Sequence, residues 1–249
     1  MLPRQLTYQL KQALRTATVL VLVLATGTSQ VRSQQKVTDY IIPASLITIG
    51  AIGVCNTAFC DFKEDIKRNL ADLRDDNYLH FDDYVQYVPV TYFAIGEYLG
   101  MPSKHNFNER VLLGCTAAII TVATTQGVKF AIGEERPDTK SHTSFPSGHT
   151  ATAFMGAELV RLSYGNWVGL GAYTVAAGIG FLRMYNERHW LNDVIAGAGF
   201  GIISANLAHL LLPWEKSWFK HSKSPKVEMS LLPYCGMHNE MGFNLNVIF

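Results

Sequence analysis

Six apolar blocks, each closed by a short polar break, dominate the 249-residue chain and leave room for little except helices. They cover residues 41–54, 84–99, 111–132, 150–162, 167–182 and 194–212. None alternates apolar and polar side chains in the way a half-buried strand does. All are rich in Gly, Ala, Ser and Thr, the small residues that let helices approach closely inside a bilayer. This pattern predicts an all-α fold, a bundle of about six helices embedded in a membrane. Several blocks are shorter than the roughly 20 residues that cross a bilayer, and some carry a charge, such as Glu97, Glu158 and Arg161. A compact helical domain held at a membrane surface is therefore the rival architecture.

The two ends read differently from the middle. Arg4, Lys11 and Arg15 precede a short apolar run at 17–25, and small and polar residues follow it. A basic start, a short apolar stretch and small residues near a cut site describe a secretory signal. The expected division is a signal or anchor segment at 1–35, a helical domain at 36–215 and a polar tail at 216–249. Lys216, Lys220, Lys223 and Lys226 make the tail basic, and its last residues, GFNLNVIF, alternate well enough for a strand. Between the first two blocks, residues 61–76 place Phe62, Ile66, Leu70 and Leu73 at helical spacing among Lys63, Asp65, Lys67, Arg68 and Arg74. That is an amphipathic helix, suited to a membrane surface or to the domain.

Charge and cysteines narrow the classes. The formal net charge is +1 and no basic run is interleaved with aromatics, so a nucleic-acid partner is not expected. The four cysteines form no CxxC pair and have no histidine at zinc spacing. Cys55 and Cys60 are near enough in sequence to bridge, and two small semi-buried side chains are the plainer account.

Chemistry-bearing residues gather at helix ends. Lys129 stands seven residues before Arg136, which Pro137 follows, with Gly133 and Pro137 ending the apolar helix. Two cations thus arrive at a helix mouth, although basic residues also collect wherever a helix leaves a membrane. Ser144, Phe145, Pro146, Ser147, Gly148 and His149 lead into the next helix. Free amides and the helix dipole make such a start an anion site, and Gly148 lets the backbone approach a phosphate. The plain alternative is a capping turn with an incidental histidine. Arg183, His189 and Asp193 open the last block. Four residues apart on a helix, His189 and Asp193 share a face. A carboxylate on one ring nitrogen fixes the tautomer and frees the other to attack, and Arg183 offers a fork that fits two phosphate oxygens. A simple helix-start salt bridge is the competing account.

His149, His189 and Asp193 could also be metal ligands. Lys129, Arg136 and Arg183 would then crowd a divalent ion with fixed positive charge, and HExxH spacing is absent. Neither a metal nor another cofactor is expected.

Taken together, KxxxxxxRP, PSGH and RxxxxxHxxxD in this order resemble the type 2 phosphatidic acid phosphatase family, whose superfamily includes vanadium-dependent haloperoxidases and bacterial acid phosphatases. The resemblance covers roughly residues 84–212. It implies phosphate binding by Lys129, Arg136, Ser147, Gly148 and Arg183. It further implies a general acid at His149, a nucleophile at His189 and an orienting carboxylate at Asp193. The family's third motif often begins Ser-Arg, whereas Leu182 precedes Arg183 here. The implied activity is metal-independent removal of phosphate from a membrane lipid. A soluble acid phosphatase and a vanadate-dependent haloperoxidase are the alternatives within the superfamily, and a non-catalytic membrane scaffold the one outside it. Lys104, Arg110, Arg161 and the basic tail lie at the helix ends opposite the motifs. Excess positive charge assigns that side to the cytoplasm, so the expected setting is a cell membrane, a bacterial inner membrane, with the site facing the periplasm.

Overall fold

The computed structural model describes residues 37–74, 77–79, 81–220, 228–235 and 241–248. The expected signal or anchor at 1–35 lies outside them, as do Lys223 and Lys226 of the tail. The helical unit supports the all-α expectation.

Helix α1 (Thr38–Cys55) and helix α2 (Thr57–Arg74) part at Asn56. The Asn56 side chain accepts the Phe59 amide at 3.2 Å and so caps α2. The amphipathic helix forms as expected, with an informative orientation. Lys63 and Arg74 retain only 8% and 5% exposure, whereas Phe62 and Leu73 keep 52% and 69%. These two basic side chains turn into the protein while Phe62 and Leu73 turn out, as suits a helix lying against lipid. Cys60 is a free thiol, and the Cys55 side chain lies outside the described residues.

The block at 84–99 is not one helix. It is split into α3 (Asp82–Val85) and α4 (Val88–Ile95). Pro89 sits in the first turn of α4. It has no N–H to donate to the preceding turn, so a continuous helix would lose a bond there.

Helix α5 (Phe107–Ile132) starts in a capping box. Asn106 accepts the Glu109 amide at 3.0 Å, and Glu109 accepts the Asn106 amide at 3.2 Å. It ends at Gly133, whose φ of 63° is the left-handed conformation that favours glycine. Leu113, Ala117, Thr121, Thr125 and Lys129 are its buried stripe. The four-residue spacing that seats the helix therefore also delivers Lys129.

Helix α6 (Gly148–Tyr164) is the centre of the bundle, covered by α4, α5, α7 (Asn166–Tyr185) and α8 (Leu191–Lys220). Phe93, Leu113, Met155, Leu159, Val160 and Leu212 form the main core. Glycines of α8 set the distance between it and α6. A Cβ on Gly201 would lie 2.2 Å from the Ala151 carbonyl, and one on Gly197 2.6 Å from that of Ser147. The charges that interrupt the apolar blocks are paired. Glu158, 1% exposed, accepts two hydrogen bonds from Arg161 at 2.7 Å and one from Tyr173 at 2.6 Å. Arg110 is paired with Glu97.

Helices α5, α7 and α8 are long and apolar enough to cross a membrane. Their outward positions carry Ile119, Val122, Phe130, Trp167 and Leu170, all exposed. This is a membrane protein.

Strands β1 (Glu228–Cys235) and β2 (Met241–Ile248) form an antiparallel hairpin, with Glu228 opposite Ile248 and Cys235 opposite Met241. The strand expected at the C-terminus is β2.

Candidate active site

The three motifs meet at one end of the bundle. Lys129, in the last turn of α5, donates from Nζ to the carbonyls of Thr143 at 2.7 Å and Pro146 at 3.1 Å. Its ammonium thus pins the loop that leads into α6. Beyond the Gly133 turn, the Arg136 amide donates to the Ser141 carbonyl at 3.0 Å. The Arg136 Nε is buried without an acceptor.

Ser147 is the N-cap of α6. It is fully buried, and its Oγ accepts from the Thr150 hydroxyl at 3.0 Å. A Cβ at Gly148 would meet nothing within 4 Å, so the space before the first turn of α6 is open to a ligand. Ser147 also joins the second motif to the third, because its amide donates to the Asp193 carbonyl at 3.0 Å.

His189 departs from the expected geometry in one respect. α8 begins at Leu191, so His189 lies in the turn before it rather than on a shared helical face. That turn is tight, with Glu187 at φ 56°. The contact with Asp193 survives because the chain folds back over the helix start: His189 Nδ1 lies 3.3 Å from Asp193 Oδ2. The same oxygen accepts the Trp190 amide at 2.8 Å and the Ser144 hydroxyl. Asp193 has no solvent exposure and His189 only 3%.

The electrostatics gather the remaining residues around this ring. Burial, and then the charges of Arg183, Lys129, Arg136 and His149, hold the His189 pKa well below the usual histidine range. These influences favour the neutral imidazole at physiological pH. Arg183 NH1 donates to Asp82 at 2.6 Å and Asp83 at 3.3 Å, and its Nε is buried without an acceptor. Arg136 and Arg183 each keep a buried Nε–H with no partner, and a buried donor needs one. An oxyanion would satisfy both.

Sequence reasoning missed several participants. Asp82 and Asp83, from the short helix α3, hold Arg183, and Asp83 Oδ1 also lies 2.8 Å from His149 Nε2. Their only sequence signal is a pair of adjacent carboxylates ahead of an aromatic-rich block. Glu134 sits inside the first motif and contacts Lys63 and Asn192. No motif spacing points to Lys63 or Asn192.

Residues 46–217 match the PAP2 superfamily, and the chain belongs to that family. Over 84 residues it is 45% identical to the lipid A 1-phosphatase of Porphyromonas gingivalis, a match that takes in 32% of this chain and 19% of that protein. The chain thus spans about a fifth of that relative's length. The solved transmembrane PAP2-type phosphatidylglycerolphosphate phosphatase of Bacillus subtilis has the same fold, with a TM-score of 0.50 and 18% identity over 74% of this chain and 99% of that one. The solved LpxE of Aquifex aeolicus aligns over 57% of this chain and 93% of that one, with 19% identity and a TM-score of 0.44.

Proposed function

We propose that this chain is a metal-independent phosphatase that removes phosphate from a membrane lipid through a phosphohistidine on His189. The observation that carries the reading is the buried ring of His189 with Asp193 on its Nδ1 side, on which burial and the charges of Arg183, Lys129, Arg136 and His149 act to favour the neutral form. The proton resides on Nδ1 facing the carboxylate, which leaves the Nε2 lone pair for attack on phosphorus.

Lys129, Arg136, Arg183, the Ser147 hydroxyl and the Gly148 amide hold the phosphate oxygens. The unpartnered Arg136 and Arg183 N–H groups supply donors whose desolvation is already met before substrate arrives. Nε2 attacks in line, the P–O bond to the lipid breaks, and His149 gives its proton to the departing oxygen. Asp193 stabilises the positive ring. Water then attacks the phosphohistidine, His149 accepts the water proton, and inorganic phosphate leaves.

A lipid substrate is supported by family membership, by the membrane-crossing helices and by a relative whose name is lipid A 1-phosphatase. The site belongs on the outer, periplasmic face of a bacterial inner membrane. Arg110 and Lys129 stand near opposite ends of α5, and His149 and Arg161 near opposite ends of α6, so the motifs and the opposing basic residues occupy opposite helix ends. The test is phosphate release by the purified protein from phosphatidic acid, phosphatidylglycerol phosphate, undecaprenyl diphosphate and lipid A, with EDTA present. Turnover of at least one of them is expected. Release confined to water-soluble esters would contradict the reading.

A further inference from the structure

Behind the His189–Asp193 pair lies a second buried carboxylate that the phosphate-binding set does not use. Glu134 Oε1 is ion-paired with Lys63 Nζ at 2.6 Å, each side chain having 9% exposure. Glu134 Oε2 accepts from Asn192 Nδ2 at 2.8 Å. The same Asn192 nitrogen donates to Asp193 Oδ1 at 3.2 Å, and Asn192 has no exposure at all. One amide group therefore bridges two carboxylates. The line Lys63, Glu134, Asn192, Asp193, His189 is continuous, from the amphipathic helix α2 to the imidazole.

We propose that Glu134 is a positioning residue for His189, orienting the Asp193 carboxylate through the Asn192 amide while Lys63 anchors it. This rests on His189 being the nucleophile. The geometry supports it at both ends. Lys63 also lies 4.8 Å from the centre of the Trp190 ring, and the Trp190 amide donates to Asp193. The Ser144 amide donates to the Glu134 carbonyl at 2.9 Å, and the Ser144 hydroxyl donates to Asp193. The donors on the Asp193 carboxylate other than His189, from Ser144, Trp190 and Asn192, thus come from residues that touch Lys63 or Glu134.

The negative charge of Glu134 has a consequence for chemistry. Two buried carboxylates joined by one amide favour a positive ring on the far side, which is what His189 becomes on phosphorylation. Burial and the charge of Asp193 raise the Glu134 pKa to about 7 against the pull of Lys63. The groups facing it are Lys63 from α2 and Asp193 from α8. Its ionisation thus falls within the working range, and activity rises as Glu134 loses its proton.

The experiment follows phosphate release from dioleoyl phosphatidic acid in detergent micelles by the full-length chain, across a range of pH. Glu134→Gln keeps an acceptor for Asn192 and loses the charge. It is expected to lower kcat about tenfold, the loss typical of removing an outer partner of an oriented histidine, with KM little changed. It should also abolish the acid-limb inflection near pH 7. Lys63→Met should move that inflection upward, and Lys63→Arg should restore it. Wild-type kcat and acid limb in Glu134→Gln, in a series where His189→Ala releases no phosphate, would overturn this inference alone. Should Glu134→Gln not fold, an unmoved inflection in Lys63→Met overturns it equally. Phosphate release by His189→Ala would overturn the reading beneath it.

Discussion

The Asp83 carboxylate lies 2.8 Å from Nε2 of His149, facing the site from a different helix. The bundle end thus holds two histidine–aspartate pairs, His149 with Asp83 and His189 with Asp193, and Arg183 lies against Asp83 at 3.3 Å. Burial and then the charge of Arg183 lower the His149 pKa, and the Asp83 carboxylate works against them towards the protonated ring, the form a general acid needs. Asp83→Asn removes that bias. The alkaline limb of the kcat profile should move to lower pH, while KM changes less than kcat. A profile that superimposes on wild type would show that Asp83 does not govern the acid.

Arg183 holds Asp82 through NH1 at 2.6 Å and keeps a buried Nε for a ligand. Lysine retains the charge but not the planar fork. For Arg183→Lys, kcat/KM should fall about a hundredfold, as when one preorganised donor is removed. Steady-state rates on the best lipid of the panel decide it, and a change below threefold would count against a phosphate-binding role.

Close packing of α8 on α6 gives a stability prediction of its own. Gly201→Ala puts a methyl 2.2 Å from the Ala151 carbonyl and 2.7 Å from the Met155 nitrogen. Overpacking of this kind costs about 1–3 kcal/mol. Gly171→Ala on α7 meets nothing within 4 Å, so helix propensity alone acts there, worth up to about 1 kcal/mol in the other direction. Thermal unfolding in one detergent should lower the midpoint for the first variant and not for the second. Equal effects would contradict the glycine seam.

Burial and the surrounding cations also link His189 to folding. Its pKa is lowered in the folded state from 6.5, so below that value the unfolded chain binds the proton more readily. The contribution of this site to stability is present above pH 6.5 and is lost as the pH falls below it. His189→Gln removes the titration. The difference in stability between wild type and variant should therefore shift against wild type on acidification. A difference independent of pH would mean that the ring is not buried neutral.

The bundle and the three motifs were legible in the sequence because each rests on local rules. Apolar spacing marks helices, Gly133 marks the end of α5, and function places charged residues where helix ends face a ligand. The partners that finish the site were not legible, because their importance arises only in three dimensions. Lys63 lies 71 residues from Glu134 in sequence, and Asp82 lies 101 from Arg183. In α2, periodicity established the helix but not its orientation, and Lys63 and Arg74 turn inward where a solvated face would be the simple reading. The split of α3 from α4 follows from Pro89 within an apolar run long enough to suggest one helix.

The claim on which the rest depends is that His189 carries the phosphate. Rapid acid-free quenching during turnover of a lipid labelled in its phosphate, followed by peptide mapping, tests it directly. The expected result is an alkali-stable, acid-labile label on the peptide containing residue 189, absent from His189→Ala and accumulating when His149 is replaced. No label there during turnover, or a label on another residue, would contradict the account.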